Sequence, residues 1–256
     1  MSRAQLEVRD LNHAFGGLQA VSDVSFEVPE RNITALIGPN GAGKTTLFNL
    51  ISGMLRPDRG SIRLEGQELT GLAAYRIAAL GIARTFQTVR LFPRLSALEN
   101  VMVGRHTRSR AGFLAGMLNL PWTWREERAI RARARELLEE LGLAGCAGEP
   151  AGSLSFRQQR LVEIARALAS EPRLLLLDEP AAGLNLQETE ELAALIRRIR
   201  DGGVTVLLVE HDMSLVMDIS DLVIVLNYGR KLAEGAPLAI QRDPEVVKIY
   251  LGGDHA

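Results

Sequence analysis

Cysteine is almost missing from this chain: Cys146 stands alone among 256 residues. An internal disulfide is thereby excluded, which suits a reducing compartment. A surplus of one charge is missing as well, the formal net charge being −1, so no overall positive field draws the chain to nucleic acid. Nor is there a long apolar run. The most membrane-like stretch, Ala111 to Trp122, is broken by Asn119 and Pro121, whereas a spanning helix needs about 20 apolar residues. The opening residues Met1 to Glu7 carry no apolar core of a secretion signal, so a cytosolic chain is expected. Any membrane role is then expected to run through partners. Internal repeats, low-complexity linkers and a long coiled-coil insertion are also lacking.

What is present is enough apolar material, 46% of the residues, to bury a core as one domain or as one domain carrying a lobe. Alternation at Leu6 to Arg9, Val24 to Val28 and Ser61 to Leu64 predicts strands of an antiparallel N-terminal sheet. Ile33 to Ile37 is a continuous apolar run, as a buried strand requires, and Leu47 to Ser52 continues as a helix. From about Ser96 to Ser170 the period turns helical, clearest over Arg125 to Leu141, where Ile130, Ala134, Leu137, Leu138 and Leu141 share a face. A separate helical lobe is expected there. Beyond it, apolar strands at Leu174 to Leu177, Val204 to Val209 and Leu222 to Leu226 alternate with helices at Gln187 to Arg200 and Met213 to Ile219. That order predicts an α/β fold with a parallel sheet covered on both faces.

Two motifs carry chemistry by themselves. Gly38-Pro39-Asn40-Gly41-Ala42-Gly43-Lys44-Thr45, followed by Thr46, matches the phosphate-loop pattern between a predicted strand and a helix. Its glycines let backbone N–H groups curl around phosphates, and the helix N-terminus adds positive dipole. Lys44 is expected to reach the β- and γ-phosphates of ATP, and Thr45 to ligand Mg²⁺. Asp178 ends the strand of four leucines, Leu174 to Leu177, beside that loop, where it can hold Mg²⁺ through water. Glu179 follows and can orient and polarise the attacking water.

Leu154-Ser155-Phe156-Arg157-Gln158-Gln159 lies a short helix upstream of Asp178-Glu179-Pro180. With the phosphate loop, this segment resembles the signature of the ATP-binding cassette (ABC) family, and the likeness covers nearly the whole chain. The resemblance implies a P-loop NTPase core of RecA-like type, 1–95 and 171–256, with an N-terminal antiparallel β-subdomain and an inserted α-helical subdomain at about 96–170. It further implies that Phe15 stacks on adenine, that Gln87 senses Mg²⁺ and the attacking water, and that His211 contacts the γ-phosphate. Ala181 to Asn185 would form the loop that follows the catalytic glutamate, with Asn185 where many members have aspartate. Ser155 would act in trans, on ATP held by a second cassette, identical or different.

A narrower resemblance, to the LivG-type ATPases of branched-chain amino acid importers, rests on Glu179 to Asn185, on Asn100 to His106 with the insertion to about Trp124, and on Pro244 to Gly253. It implies an ATPase subunit at the cytoplasmic face of the membrane, held there by permease subunits and served by a substrate-binding protein. Competing readings are a soluble cassette ATPase of translation or DNA repair and a regulatory cassette with weak hydrolysis. The near-neutral charge and single cassette argue against the first, Glu179 and His211 against the second. Phe92, Leu95 and Leu98 are expected to line the groove for a permease helix. The basic run Arg105, Arg108, Arg110, Arg125, Arg128, Arg131, Arg133 and Arg135 is interleaved with glutamates and reads as a solvated face, not a nucleic-acid site.

Arg157 is the marked departure, because the family places glycine there and lets backbone approach the partner's phosphate. Two arrangements are open: the side chain crowds the partner's nucleotide, or its guanidinium points outward or pairs with phosphate. Crowding is the favoured expectation, with Arg157→Gly raising turnover.

Overall fold

The computed structural model describes residues 4–105 and 121–251. Strands β1 (Ala4–Phe15) and β2 (Leu18–Pro29) form a long hairpin, and β3 (Ile33–Ile37) opens a second sheet and feeds α1 (Lys44–Ile51). Strands β4 (Arg59–Leu64) and β5 (Gln67–Glu68) return to the hairpin and complete an antiparallel sheet in the order β2-β1-β4-β5. Helix α2 (Ala74–Ala79) leads into β6 (Ile82–Arg84). Helices α3 (Ala97–Arg105), α4 (Pro121–Glu140) and α5 (Phe156–Ala169) follow. The chain then alternates through β7 (Leu174–Asp178), α6 (Leu186–Asp201), β8 (Thr205–Val209), α7 (Met213–Ile219), β9 (Leu222–Asn227) and β10 (Arg230–Gly235), ending in α8 (Pro237–Arg242) and α9 (Pro244–Leu251).

The second sheet has the order β10-β9-β3-β8-β7-β6, parallel throughout except for β10. Its central strands β3, β7, β8 and β9 are buried on both faces, and the two-residue period of a strand divides their side chains between two cores. Leu175, Leu177, Val206 and Leu208 join the cluster beneath the helices, while Leu174, Leu176, Leu207 and Val209 join the cluster shared with α1 and the antiparallel sheet. Each fully buried leucine contributes about 2 kcal/mol relative to exposure.

The helices α3, α4 and α5 pack on one another, and α4 turns Ile130, Ala134, Leu137 and Leu138 inward, the face expected from sequence. Their apolar faces run without interruption into the cluster under the sheet, so the expected lobe shares a core with the sheet. Helix α4 begins at Pro121, ahead of the expected Arg125, because proline suits a first helical turn whose N–H groups have no partners. Strand β1 runs well past the expected Arg9 because the hairpin accommodates Asp10, at φ 46°, and irregular register beyond Val8.

Of the basic run, Arg105 pairs with Glu171, Arg131 with Glu127, and Arg133 with both Glu136 and Glu140. Arg108 and Arg110 lie outside the described residues, as do the insertion residues 106–120 and Gly252 and Gly253.

Candidate active site

Strands β6, β7, β8 and β3 lie side by side and parallel, so the loops leaving their carboxyl ends meet along one edge of the sheet. Gln87, Glu179 and His211 sit on the loops after β6, β7 and β8, with Asp178 at the end of β7 and Lys44 and Thr45 at the start of α1. The loop from Gly38 to Lys44 links β3 to α1. Gly43 immediately precedes α1 at φ 98°, and a Cβ there would stand 2.4 Å from the Ala20 carbonyl oxygen. Only glycine fits that approach between the β1–β2 hairpin and the loop. Gly38 is as constrained, because a Cβ would meet the Leu226 carbonyl oxygen at 2.2 Å.

Lys44 Nζ donates to the carbonyls of Gly38 at 2.6 Å and Pro39 at 3.0 Å, which holds the ammonium over the loop. Burial lowers its pKa, with the nearby carboxylates of Glu179 and Asp178 pulling the other way. Thr45 and Thr46 occupy the first turn of α1, with Thr45 exposed, and Asn40 and Gly41 are exposed at the loop's outer edge while Pro39 is half-buried and Ala42 buried.

Asp178, at the end of β7, is buried and accepts a hydrogen bond from Arg84 Nη2 at 2.8 Å. Arg84 ends β6, donates through Nη1 to Asn49 Oδ1 at 2.7 Å and Ser52 Oγ at 3.0 Å, and lies between the rings of Phe48 and Phe86. Sequence reasoning missed this residue. No local pattern marks an arginine whose carboxylate partner is 94 positions away.

Glu179 has φ 47°, a left-handed conformation that costs a non-glycine residue about 1–3 kcal/mol. Its backbone N–H is held by the Val209 carbonyl at 2.9 Å. The side chain accepts from Gln87 Nε2 at 2.8 Å and has His211 Nδ1 at 3.8 Å. Three loops thus bring an amide, a carboxylate and an imidazole to one point. A carboxylate so flanked can accept a proton from water that the amide and the imidazole orient.

Glu210 was also overlooked. Its buried carboxylate accepts from the N–H of Ala181 at 2.8 Å and from the N–H of His211 at 3.1 Å, fastening the segment after Glu179 to the loop that carries His211. Burial raises its pKa, partly offset by those two N–H groups and by the charge of His211.

Phe15 closes β1 just before the Gly16–Gly17 turn, 48% exposed, with its ring edge-on to His13 at 4.6 Å. A ring so placed is an open face for stacking and not a core side chain. Ser155 caps α5, accepting from Gln158 N–H at 3.3 Å while its own N–H donates to Gln158 Oε1 at 2.9 Å. These bonds fix Ser155 at the N-terminus of α5. Arg157 is ion-paired with Glu191 of α6, so its guanidinium points along the protein surface. Within this chain Arg157 therefore takes the outward of the two open arrangements, because an acidic side chain on a neighbouring helix offers it a partner that the local sequence does not reveal.

Among the described residues there is no group of three or more His, Cys, Asp or Glu able to hold a metal unaided. The hydroxyl of Thr45, the amide of Gln87 and the carboxylate of Asp178 are all oxygen donors, a set that fits a hard cation sharing its remaining positions with phosphate oxygens and water. Among the described residues no helix is long and apolar enough to cross a membrane.

Comparison with known proteins agrees with this architecture. Residues 21–182 match the ABC transporter family, and residues 230–256 match a family described as branched-chain amino acid ATP-binding cassette transporter. Over 253 residues the chain is 50% identical to the high-affinity branched-chain amino acid transport ATP-binding protein BraF of Pseudomonas aeruginosa, covering 98% of this chain and 99% of that one. It is 46% identical to LivG of Escherichia coli, a high-affinity branched-chain amino acid transport ATP-binding protein, with the same coverage. A crystal structure of an ABC-transporter cassette in its ADP conformation superposes with TM-score 0.85 at 32% identity, covering 97% of this chain and 99% of that one.

Proposed function

The chain belongs to the ATP-binding cassette transporter family and is an ATPase coupled to transport, and on that premise we propose that it drives the import of branched-chain amino acids from the cytoplasmic face of the membrane. The observation that carries the hydrolytic half is the hydrogen bond between Gln87 and Glu179 beside His211. The cargo rests on the likeness to BraF and LivG over nearly the whole chain.

Phe15 receives the adenine ring, and the N–H groups from Gly38 to Thr46 surround the phosphates. Lys44 exchanges its two carbonyl bonds for β- and γ-phosphate oxygens, a trade favoured by full negative charge on the new acceptors. Mg²⁺, when bound, would neutralise charge on the phosphates, and Thr45, Asp178 and Gln87 are the residues that would hold it. Asp178 is paired with Arg84. Glu179 takes the proton of the attacking water, with His211 and Gln87 fixing the geometry around it.

Ser155 serves a second cassette, identical or different, whose own signature completes the site built here. Permease subunits hold the pair at the membrane. We assign their contact surface to the groove of about 440 Å³ lined by Met54, Ala74, Ile77, Phe86 and Val103, next to the Gln87 segment, and none of the expected residues Phe92, Leu95 and Leu98 lines it. Phe92 is 51% exposed, Leu95 half-buried and Leu98 core. A substrate-binding protein delivers cargo from the other side.

Reconstituting the chain with its permeases and partner cassette in liposomes tests this. ATP-dependent uptake of labelled leucine, isoleucine or valine is expected, abolished by Glu179→Gln. A complex that hydrolyses ATP yet moves none of the three refutes the cargo assignment and leaves the ATPase assignment standing.

A further inference from the structure

Arg160 is 1% exposed, among the largest fully buried side chains of the described protein. Taking a guanidinium out of water costs several kcal/mol, recovered only with a good set of partners. The partners of Arg160 are specific. Nη1 donates to the Phe86 carbonyl at 2.7 Å and Nη2 to the Gln87 carbonyl at 2.9 Å, so the planar fork clamps two successive peptide units. The carboxylate of Glu163, equally buried and one turn further along α5, lies 3.5 Å from Nη1 and accepts from the Arg90 N–H at 3.2 Å. Arg166 stands 3.7 Å from the same carboxylate. Helix α5 therefore grips the segment from Phe86 to Arg90 with side chains it has buried for the purpose.

That segment carries Gln87, whose side chain reaches Glu179. At the other end of the grip the Phe156 ring lies 5.5 Å from the guanidinium of Arg160. The same ring sits against Gly183, where a Cβ would be 3.1 Å from its edge. Phe156 is the residue next to Ser155. Contacts thus run unbroken from Glu179 through Gln87, Arg160 and Phe156 to the helix N-terminus that bears Ser155, and back to the loop leaving Glu179.

We infer that Arg160 is the positioning residue that joins the Gln87 segment of this chain's own ATP site to the end of α5 that presents Ser155 to the partner's ATP, so that a shift at either site moves the other. The inference rests on the proposed roles of Gln87 and Ser155 and adds the part that connects them. Lysine at this position keeps the charge but replaces the two separate nitrogens of the rigid planar fork, one for each carbonyl, with a single ammonium on a flexible stem, so the spacing that Arg160 fixes between helix and segment is no longer set.

The test is a double-mutant cycle in the assembled transporter, with Arg160→Lys and Gln87→Ala made singly and together. Gln87→Ala retains the carbonyl that Arg160 holds and removes only the side chain that reaches Glu179. Arg160→Lys is expected to lower kcat by about tenfold, the loss typical of a charge-assisted hydrogen bond, with KM for ATP unchanged. In the Gln87→Ala background the same change is expected to cost less than about twofold, because one broken link makes the other redundant. Fold losses that multiply, or a kcat for Arg160→Lys equal to wild type, overturn the inference. Should Arg160→Lys not assemble, Phe156→Leu at the half-exposed end of the chain of contacts decides by the same criterion. Glu179→Gln, run alongside, keeps the underlying assignment separate: turnover that survives it counts against the catalytic reading, whatever the cycle gives.

Discussion

Gln87 Nε2 and Glu179 Oε2 are hydrogen-bonded at 2.8 Å across 92 positions of sequence. The bond crosses from the loop after β6 to the loop after β7, adjacent strands whose register is fixed by pairing of Arg84 with Leu176. An amide that donates to this carboxylate orients it, and on the proposed reading stays within reach of the water that the carboxylate activates. Gln87→Ala is therefore expected to lower kcat of the assembled transporter by roughly tenfold to a hundredfold, with a smaller loss of Mg-ATP affinity because Thr45 and Asp178 remain to hold the ion. Steady-state kinetics with ATP as the varied substrate measures both. A rise in KM at constant kcat would assign Gln87 to binding instead.

Arg84 and Asp178 form a buried pair that also takes in Asn49 and Ser52. Removing the arginine leaves a carboxylate buried without its counter-charge, a change costing about 3–5 kcal/mol. Arg84→Met keeps much of the volume between Phe48 and Phe86 and isolates the charge effect. Its melting temperature is expected to fall by roughly 6–20 °C for a chain of this size, and a shift within error of zero would show that the pair carries no stability.

Arg157 is committed to Glu191, and an exposed pair of this kind is worth only about 0.2–1 kcal/mol. With the guanidinium directed along α6, Arg157→Gly is expected to leave ATP turnover within about twofold of wild type, a change no larger than the weak pair could cause. Turnover of the glycine variant raised tenfold would restore the crowding account in which the side chain obstructs the partner's nucleotide.

Glu210 ties a pH dependence to the same edge of the sheet. Burial raises its pKa above the ordinary 4.5, so the folded state holds the proton more tightly than the unfolded state does. The stabilisation is fully present below 4.5 and is lost as the pH rises through the folded value. Glu210→Gln cannot ionise and lacks that loss. Urea midpoints at pH 5 and pH 8 are expected to fall more with rising pH for wild type than for the variant. Equal changes in both proteins would mean that Glu210 does not contribute.

The sequence disclosed what is written in contiguous residues. The phosphate loop, the leucine strand ending at Asp178 and the helix from Met213 to Ile219 are local patterns, and the parallel sheet follows from short apolar runs that alternate with helical segments. What stayed hidden is long-range pairing. Arg84, Arg160 and Glu210 look in the sequence like ordinary surface charges, and only the packing of β6, α5 and β8 turns them inward. Strand β1 was cut short for a related reason: Asp10 and Asn12 break the alternation, yet the chain continues because Asp10 pairs with Ser25 and Asn12 with Asp23 across the hairpin.

On the proposed reading this chain contributes a complete hydrolytic half, with Glu179 as the base. The most direct measurement is ATP turnover by the assembled transporter carrying Glu179→Gln in this subunit alone, read beside ATP binding to the same complex. Removal of a general base costs about 10²–10⁴-fold, so turnover at this site is expected to collapse by at least a hundredfold while ATP remains bound. Turnover equal to wild type with the substitution in place would contradict the account.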